Sequence, residues 1–401
     1  MKTVITSVGT SIFTNYQKKM DDLDDKIEDL KLMPFNEWDD WSEDIKNIKE
    51  SIDEWLRDKN NDSYSAEIKS ILKLKDMYSD IKVHLIATDT ILSVLASDIL
   101  KAYISTEKDI DCEFEKSKDI IKGLQVNNAE NFKKVGSVNL VNRINTIINS
   151  NYYENIILNI TGGYKATIPY MTIMGQINNI PIYYIFEDIN ELIEIPQAPI
   201  DIKWEIFEQH ANILYDLENG IYNWTDYKKE NNIDNNLSAC IWEEDGMAEL
   251  NAIGKIFWEK YKTFFLVKVN KGSGYLNDNH GNQNHIKNAL QELYKRLMDE
   301  IINNNINNSE DLKQYILKLG DKNDLRHGNN PSKDKFIFKS TNKEQIRIVY
   351  SPKLIGKDLQ LKIYDYVRGD FKHNEYMKEF KQKEYNTKEL EFITIPIKKP
   401  Q

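Results

Sequence analysis

The residues best suited to chemistry follow a short apolar run near the middle of the chain. Ile156, Ile157 and Leu158 precede the string Asn159-Ile160-Thr161-Gly162-Gly163-Tyr164-Lys165, which places a hydroxyl, two glycines and a cation in one turn. The glycines allow positive φ and a close backbone approach to a ligand, and a following helix would offer free N–H groups to an anion. The spacing differs from the G-x-x-x-x-G-K-[ST] of a P-loop and the G-x-G-x-x-G of a dinucleotide site. The turn is therefore a candidate anion site of another kind, or only a tight connection between strand and helix.

The elements around this turn predict a parallel unit of strand, helix and strand. The β-branched run at 156–158 suits a strand covered on both faces, and apolar residues continue at helical spacing from Ala166 to Ile177. Pro181 then precedes the run from Ile182 to Phe186, which is typical of a second strand. The sequence therefore predicts a βαβ unit.

Two other predicted strands end in short polar turns of a similar kind. Residues 2–8 run into Gly9-Thr10-Ser11, and residues 83–87 run into Thr88-Asp89-Thr90. In an open α/β sheet the carboxyl ends of parallel strands share one edge, and ligands bind there. We therefore expect a ligand site where the three turns meet. Residues 15–79, which are acidic and helical in pattern, are expected to form helices after the first strand.

Length and composition limit the class of protein. A chain of 401 residues is longer than a domain with a single hydrophobic core usually is, so two domains with a small third are expected. A hydrophobic share of 40% and a mean hydropathy of −0.60 fit a globular protein, and no stretch approaches the ~18 apolar residues of a membrane span. Two cysteines are too few for a disulfide framework or a cysteine-based zinc site. We expect a cytoplasmic protein with no metal and no membrane partner.

Charge is divided unevenly along the chain. The net charge of −11 combines 25 basic against 45 acidic residues in positions 1–250, a balance of −20, with 28 against 19 in positions 251–401, a balance of +9. This asymmetry predicts a C-terminal module that meets a polyanion, carried by an acidic N-terminal part. The alternative is that lysines only keep the chain in solution, which explains their number but not the change of sign.

The first and last of these turns together resemble a known family. Val8-Gly9-Thr10-Ser11 and the string from Asn159 to Lys165 are similar to the two motifs of CARF domains from type III CRISPR systems, over roughly residues 1–200. The resemblance implies a Rossmann-like homodimer that binds a cyclic oligoadenylate across its two-fold axis, a symmetry that suits a ring of repeated adenylates. Cyclic tetra-adenylate is the expected ring. The residues implied to contact it are Gly9, Thr10, Ser11, Thr161, Gly162, Gly163 and Lys165.

Residues 205–262 are predicted to form a small helical connector between larger domains at 1–204 and 263–401. Phe207 to Leu217 is apolar at helical spacing, and Gly246 to Phe257 resembles the last helix of a winged-helix unit. A winged helix would bind DNA, so a ligand-controlled transcription regulator is one alternative. Acidic residues around it disfavour contact with phosphates, and a structural or dimerising linker is the prediction.

The C-terminal domain is predicted to be α+β. A strand at 263–269 precedes an amphipathic helix from His285 to Ile302 and a second helix from Ser309 to Leu319. Three candidate strands follow at 335–339, 345–351 and 359–367, and the last two alternate with period two. Helices on one face of this sheet would leave the other face for basic residues that converge on a phosphate.

This layout resembles the RelE family of toxins over about residues 263–380. The shared features are Leu325-Arg326-His327-Gly328, an aromatic and basic strand at 336–339, the run from Ile346 to Tyr350, and a last strand that leads into a basic cluster. The resemblance implies a cofactor-free, metal-independent ribonuclease that cuts mRNA in the ribosomal A site, where a 2′-hydroxyl attacks the adjacent phosphate. The implied site residues are Arg347, Arg368, Lys372, Tyr376, Lys339 and Lys335, with Tyr376 stacking on a base.

Two alternatives concern these same residues. Arg368 to His373 satisfies the R-x4-H signature of HEPN ribonucleases, which would cut free RNA, but it follows a period-two strand instead of beginning a helix. Arg347 would otherwise be structural and pair with Asp358 or Asp365 on a neighbouring strand. The combined prediction is a type III CRISPR ancillary effector in antiviral defence, in which ring binding shifts a ribonuclease toward an active arrangement.

Overall fold

The computed structural model of the chain describes residues 1–20, 23–57, 64–125, 127–151, 155–185, 191–200, 202–231, 233, 235–328, 334–341, 345–355, 358–369, 380 and 390–399. The chain forms two compact units. The N-terminal unit comprises Met1–Asp201, Tyr222–Trp224 and Ser238–Phe257, and the C-terminal unit comprises Ile202–Ile221, Thr225–Leu237 and Trp258–Gln401. Residues 205–262, predicted as a separate connector, are shared between these two units.

The N-terminal unit is an α/β fold built on one sheet. Its strands are β1 Lys2–Val8, β2 Ile81–Thr88, β3 Asp111–Glu113, β4 Ile120–Ile121, β5 Ile156–Asn159, β6 Ile182–Ile185 and β7 Leu192–Ile195. Its helices are α1 Ser11–Gln17, α2 Asp24–Leu30, α3 Ser42–Leu56, α4 Ala66–Tyr78, α5 Ile91–Glu107, α6 Lys116–Asp119, α7 Ala129–Asn131, α8 Ser137–Ser150 and α9 Ile168–Asn178. The strand order is β3-β2-β1-β5-β6-β7, with β4 also on β2, and only β7 runs antiparallel to its neighbour.

These elements confirm the predicted α/β class and the βαβ unit of β5, α9 and β6. The predicted helices of the acidic segment are also present as α1 to α4. They form because apolar residues recur on one side of each helix, as α3 illustrates by burying Ile45, Ile48, Ile52 and Leu56. Most acidic residues of these helices are exposed or partly exposed, so the negative charge of this region belongs largely to solvated helix faces, although Glu67 of α4 is buried.

The next elements along the chain are α10 Trp204–Gln209, α11 Ala211–Glu218, β8 Ile221–Tyr222, α12 Trp224–Glu230, α13 Asn235–Ser238, β9 Ile241–Glu244, β10 Met247–Leu250 and α14 Ala252–Lys262. The predicted helix from Gly246 to Phe257 is wrong in its first half. Residues 247–250 pair antiparallel with residues 241–244 across Asp245 and Gly246, whose φ angles are 49° and 76°. An Asp-Gly pair with both φ angles positive makes a tight hairpin turn, and the helix starts only after it.

The C-terminal unit carries the second sheet. Its remaining elements are β11 Phe264–Asn270, α15 His280–Asn303, α16 Ser309–Lys318, β12 Lys322–Asn323, β13 Arg326–His327, β14 Phe336–Lys339, β15 Arg347–Ile355, β16 Asp358–Val367 and β17 Phe392–Lys398. The main sheet has the order β14-β15-β16-β11-β17, in which β11 and β16 are parallel and the other pairs are antiparallel. The predicted strands and helices are therefore present, and β17 is an addition to them.

Helices α15 and α16 pack on one face of this sheet. Leu290 and Leu293 of α15 and Ile316 of α16 lie in one buried cluster with Val267 and Leu361 of the strands. Alternate strand residues point away from the helices to the face that we call the open face. A smaller apolar cluster lies there, formed by Ile337, Val349, Tyr364, Val367 and Phe380. The centre of the open face is thus apolar and buried.

Two lysines at the end of α14, Lys260 and Lys262, have pKa values shifted in opposite directions by the fold. Burial and repulsion by Lys398 lower the pKa of Lys260 from 10.5 to about 8. Burial also opposes the charge of Lys262, but hydrogen bonds to Glu218 and Glu259, both at 2.6 Å, outweigh it and raise the pKa of that lysine. The charge on Lys260 is therefore a cost to the folded state, and the charge on Lys262 is a gain.

We expect Lys260→Met to stabilise the protein at pH 7 by about 1–3 kcal/mol, because the unfavourable charge is removed while the aliphatic stem is kept. Since the folded pKa lies below the unfolded value, the cost is full below pH 8 and disappears as the pH rises toward 10.5. Thermal melts of both proteins between pH 7 and 9.5 should converge. Lys262→Met is the matched control and should lower the melting temperature; equal effects of both substitutions would contradict this account.

Candidate functional site

The turns after β1 and β5 lie side by side in the N-terminal unit. These strands are parallel neighbours, with Thr3 opposite Ile156 and Thr6 opposite Asn159, so they end at the same sheet edge. The hydroxyl of Ser7, near the end of β1, donates a hydrogen bond of 2.6 Å to the carbonyl oxygen of Gly162. The two motifs found in the sequence therefore form one structural feature.

Two glycines make this close approach possible. A Cβ atom on Gly9 would lie 2.8 Å from the backbone nitrogen of Gly163, which is shorter than any normal contact. Gly163 has φ +92°, and a Cβ atom there would lie 2.8 Å from the Cβ atom of Ser7. Any larger residue at either position would force the turns apart.

A buried carboxylate binds the turn after β1 and packs against the turn after β5. Glu67, in the first turn of α4, is 1% exposed. Its Oε1 accepts a hydrogen bond of 2.9 Å from the N–H of Gly9, and its Oε2 accepts one of 2.5 Å from the hydroxyl of Ser11. The Ser11 hydroxyl also accepts a hydrogen bond of 3.2 Å from the N–H of Ala66. Two groups predicted to meet a ligand are therefore already bound to an anion of the chain itself.

The remaining residues predicted to contact a ligand differ in whether they already form hydrogen bonds within the fold. The hydroxyl of Thr161 donates to Asn159 Oδ1 at 2.7 Å and accepts from the N–H of Ile185 at 3.0 Å, so it stabilises the end of β5. Thr10 precedes α1, and its carbonyl oxygen accepts the first hydrogen bonds of that helix. Lys165 begins a short 3₁₀ helix and is exposed. Among the predicted residues, Lys165 is thus the cation that can reach a ligand at this edge.

The open face of the C-terminal unit holds part of the second predicted site. Lys339 of β14 lies directly opposite Arg347 of β15, so both side chains belong to the same face of the sheet. Lys335 lies on that face just before β14, with its Nζ 5.0 Å from the ring centre of Tyr364 and 3.4 Å from Asp334 Oδ1. The structure therefore brings three of the predicted cations to one side of the sheet.

Arg347 is a buried member of this group. It is 6% exposed, and its Nη1 donates to the carbonyl oxygens of Gln345 and Gly369 at 3.0 and 2.9 Å. The guanidinium thereby joins the start of β15 to the residue that follows β16. Its position is fixed by backbone contacts, so a charge at this point of the face is rigid.

The other predicted residues are not part of this group. The Arg368 side chain reaches α15, where Nη1 donates to Asn282 Oδ1, so it points to the helix side of the sheet. Neighbouring Tyr366 behaves in the same way, since its hydroxyl donates to Asp278 Oδ2 at 2.5 Å. Lys372 and Tyr376 lie outside the described residues. The structure thus separates Arg368 from the Lys339 and Arg347 pair.

Comparison with known protein families addresses the N-terminal unit. Residues 62–198 match the family model described as CRISPR-associated protein (Cas_APE2256). The matched segment runs from just before α4 to just after β7, and it includes Glu67 and the turn from Thr161 to Lys165. The match supports a CRISPR-associated protein, in agreement with that part of the sequence prediction. It lies entirely within the N-terminal unit.

Glu67 is the site residue that the sequence analysis missed. It lies two residues after Ser65, whose hydroxyl accepts from the N–H of Ile68 at 3.0 Å and caps α4. This N-cap was a usable signal for the start of a helix. Nothing in the sequence distinguished Glu67 from the many solvated carboxylates of the same segment, because its burial depends on the packing of α4 against the end of β1.

No group of three or more His, Cys, Asp or Glu side chains among the residues that the structure describes is arranged to hold a metal ion. In the same part of the chain, we find no helix with the length and apolar character needed to cross a membrane.

Proposed function

We propose that this protein is a type III CRISPR ancillary effector. A homodimer of the N-terminal unit, acting as a CARF domain, binds cyclic tetra-adenylate, and binding activates the C-terminal unit as a RelE-like endoribonuclease. The nuclease is metal-independent and cuts mRNA on the ribosome, which stops translation during antiviral defence. The activator acts through its different affinity for two arrangements of the dimer.

The observation that carries the sensor half of this proposal is the meeting of the two glycine turns at one sheet edge. Carboxyl ends of parallel strands are the usual ligand edge of an α/β fold. Gly9 and Gly163 permit backbone contact between the turns, and exposed Lys165 supplies a positive charge beside them. The match of residues 62–198 to a CRISPR-associated family supports the same proposal.

The effector half is supported by the sheet of the C-terminal unit. Its elements follow one another along the chain as the strand β11, the two helices, the three antiparallel strands β14 to β16 and the last strand β17. Both helices lie on one face, and β11 is parallel to β16. Lys339 and Arg347 face each other on the opposite side. Cations fixed on one face suit a reaction whose transition state carries extra negative charge on a phosphate.

The HEPN alternative is less well supported. Its R-x4-H motif should begin a helix, whereas Arg368 directly follows β16 and precedes Gly369, which has φ +109°. The DNA-binding alternative rests on residues 205–262. Those residues contain the β9–β10 hairpin with three carboxylates around its turn, Glu243, Glu244 and Asp245, which would repel DNA phosphates.

The decisive test is RNA cleavage by the purified chain, with and without cyclic tetra-adenylate, on free RNA and on ribosomes carrying mRNA. Ligand-stimulated cuts confined to ribosome-bound mRNA are expected. Efficient cutting of free RNA would move the assignment to the HEPN-like alternative. Absence of cutting under all four conditions would overturn the nuclease proposal.

Replacing Lys165 by alanine is expected to weaken cyclic tetra-adenylate binding by about 10- to 100-fold, because a charged hydrogen bond to a phosphate contributes about 1.5–3 kcal/mol. Activation should disappear at ligand concentrations that saturate the natural protein. The melting temperature should stay the same, since Lys165 is exposed. Calorimetric titration measures the binding. Lys46→Ala on α3, where the side chain is 74% exposed, is the matched control and should bind normally; equal binding by both variants would remove Lys165 from the site.

A further inference from the structure

Four lysines form a row across the open face of the C-terminal unit. Lys268 of β11 lies beside Lys362 of β16 in the strand register. Lys353 of β15 lies two residues after Ser351, the residue that pairs with Lys362. Lys335 lies just before β14. We call these residues, Lys268, Lys335, Lys353 and Lys362, the lysine row.

Aromatic rings hold the centre of the lysine row in place. The Nζ atom of Lys362 lies 4.2 Å from the ring centre of Phe392 and 6.0 Å from that of Tyr364. The Nζ atom of Lys335 lies 5.0 Å from the ring centre of Tyr364. A cation over an aromatic face is attracted to the ring without being neutralised by it. These contacts therefore restrict the positions of the ammonium groups without pairing them with a negative charge.

The charges near the lysine row do not cancel. Lys268 pairs with Glu208 at 2.9 Å, and Lys335 pairs with Asp334 at 3.4 Å. Partial burial, and then repulsion by Lys268, Lys335 and Lys353, lower the pKa of Lys362, although Asp334 acts in the opposite direction. Within the part of the chain that the structure describes, repulsion by the other three lysines thus outweighs the attraction of Asp334 at Lys362, which experiences a net positive field.

Such a field has a cost that a bound anion would remove. Like charges on neighbouring strands destabilise a sheet, as do like charges close together elsewhere. The lysine row extends from β14 to β11, which is three strand spacings or roughly 14 Å. Lys335 is 7% exposed and contributes its charge from within the face, so the ammonium groups that can meet a ligand directly are those of Lys268, Lys353 and Lys362. One phosphate group is too small to contact all three at hydrogen-bond distance, and the geometry therefore suits a chain of phosphates.

We propose that the lysine row binds the phosphodiester backbone of RNA on one flank of the bond that is cut. This rests on the ribonuclease function proposed above. Along β16, Lys362 lies five residues from Val367, which pairs with Arg347, a separation of roughly 17 Å. The lysine row, to which we assign Lys335 in place of the catalytic role implied by the resemblance, is therefore a separate contact from Lys339 and Arg347. It positions the RNA strand without touching the reacting atoms.

The test uses the full chain and a 12-nucleotide RNA whose 2′-hydroxyls are all methylated, so that binding is measured without cleavage. The variant is the double substitution Lys353→Gln and Lys362→Gln. The affinity falls as salt rises, and loss of two phosphate contacts should make the slope of log affinity against log salt shallower by about 1.4. Binding should weaken about 25-fold at 0.1 M salt. The matched control is Lys295→Gln with Lys318→Gln, two exposed lysines of the helix layer. Fluorescence anisotropy across a salt series gives both quantities.

The outcomes separate this inference from the function on which it rests. A shallower slope in the double variant, with an unchanged slope in the control variant, supports RNA binding by the lysine row. This holds even if the natural protein cuts no RNA in any condition and the nuclease proposal fails. Equal slopes and affinities in the double variant and the control overturn the lysine row, even if RNA is cut. Absence of salt-dependent binding by the natural protein at 50 mM salt also overturns it.

Discussion

Replacing Arg347 by glutamine is expected to lower the rate of RNA cleavage by about 10²- to 10³-fold, which is the usual cost of removing one fixed donor that stabilises transition-state charge. The guanidinium is 6% exposed and held by two backbone carbonyl oxygens, so its charge does not have to reorganise during the reaction. Binding of cyclic tetra-adenylate should be unchanged, because the site proposed for it lies in the N-terminal unit. The measurement is the single-turnover cleavage rate with saturating activator, with calorimetric titration of the activator alongside.

Arg347 also has a structural role, and the control must account for it. Arg326 is a good match, because its Nη1 donates to the carbonyl oxygens of Leu317 and Leu319 at 2.6 and 2.5 Å in the same unit. Arg326→Gln should lose a similar amount of stability while its cleavage rate stays within a few-fold of normal at a temperature where both variants are folded. If the two variants cut RNA equally fast, Arg347 is a structural residue and not a catalytic one.

The sheet edge of the N-terminal unit was predictable because local signals and topology agree there. The β-branched run at 156–158, the two glycines and the following apolar helix each indicate the same βαβ unit, and parallel strands bring their carboxyl ends together. The contact between the β1 and β5 turns follows from those rules. The role of Glu67 does not, because it depends on how α4 packs against β1, and a carboxylate that is buried looks the same in the sequence as one that is solvated.

The C-terminal sheet shows a second limit of sequence patterns. Period-two alternation gave the correct strands, but the register between β15 and β16 shifts at Val349 and Tyr350. Val349 pairs with Asp365 whereas Tyr350 pairs with Ile363, so β16 has one extra residue at this point. A bulge changes which residues share a face beyond it. The prediction that Arg368 joins Arg347 assumed convergence at the strand end, and the Arg368 side chain instead lies toward Asn282.

Replacing Gly162 by alanine is expected to disrupt the N-terminal site, with a loss of about 2–5 kcal/mol in the free energy of unfolding and of measurable cyclic tetra-adenylate binding. A Cβ atom there would lie 2.1, 2.5 and 2.6 Å from Oε1, Cδ and Cγ of Glu67. Glu67 has no room to move, since it is 1% exposed and binds both Gly9 and Ser11. The new methyl group must therefore break those hydrogen bonds or push the two turns apart. Urea unfolding measures the first effect and calorimetric titration the second.

A double-mutant cycle identifies the cause. All three atoms met by the new methyl group belong to Glu67, so Glu67→Ala should remove the clash as well as the carboxylate. We expect Gly162→Ala to cost little in the Glu67→Ala background, which gives a coupling energy of about 2–5 kcal/mol, nearly the whole cost of the single substitution. Gly320→Ala is the matched control, because a Cβ atom at Gly320 meets nothing within 4 Å, and it should leave stability and binding unchanged. Strictly additive effects of Gly162→Ala and Glu67→Ala would mean that the cost of Gly162→Ala does not come from contact with this carboxylate.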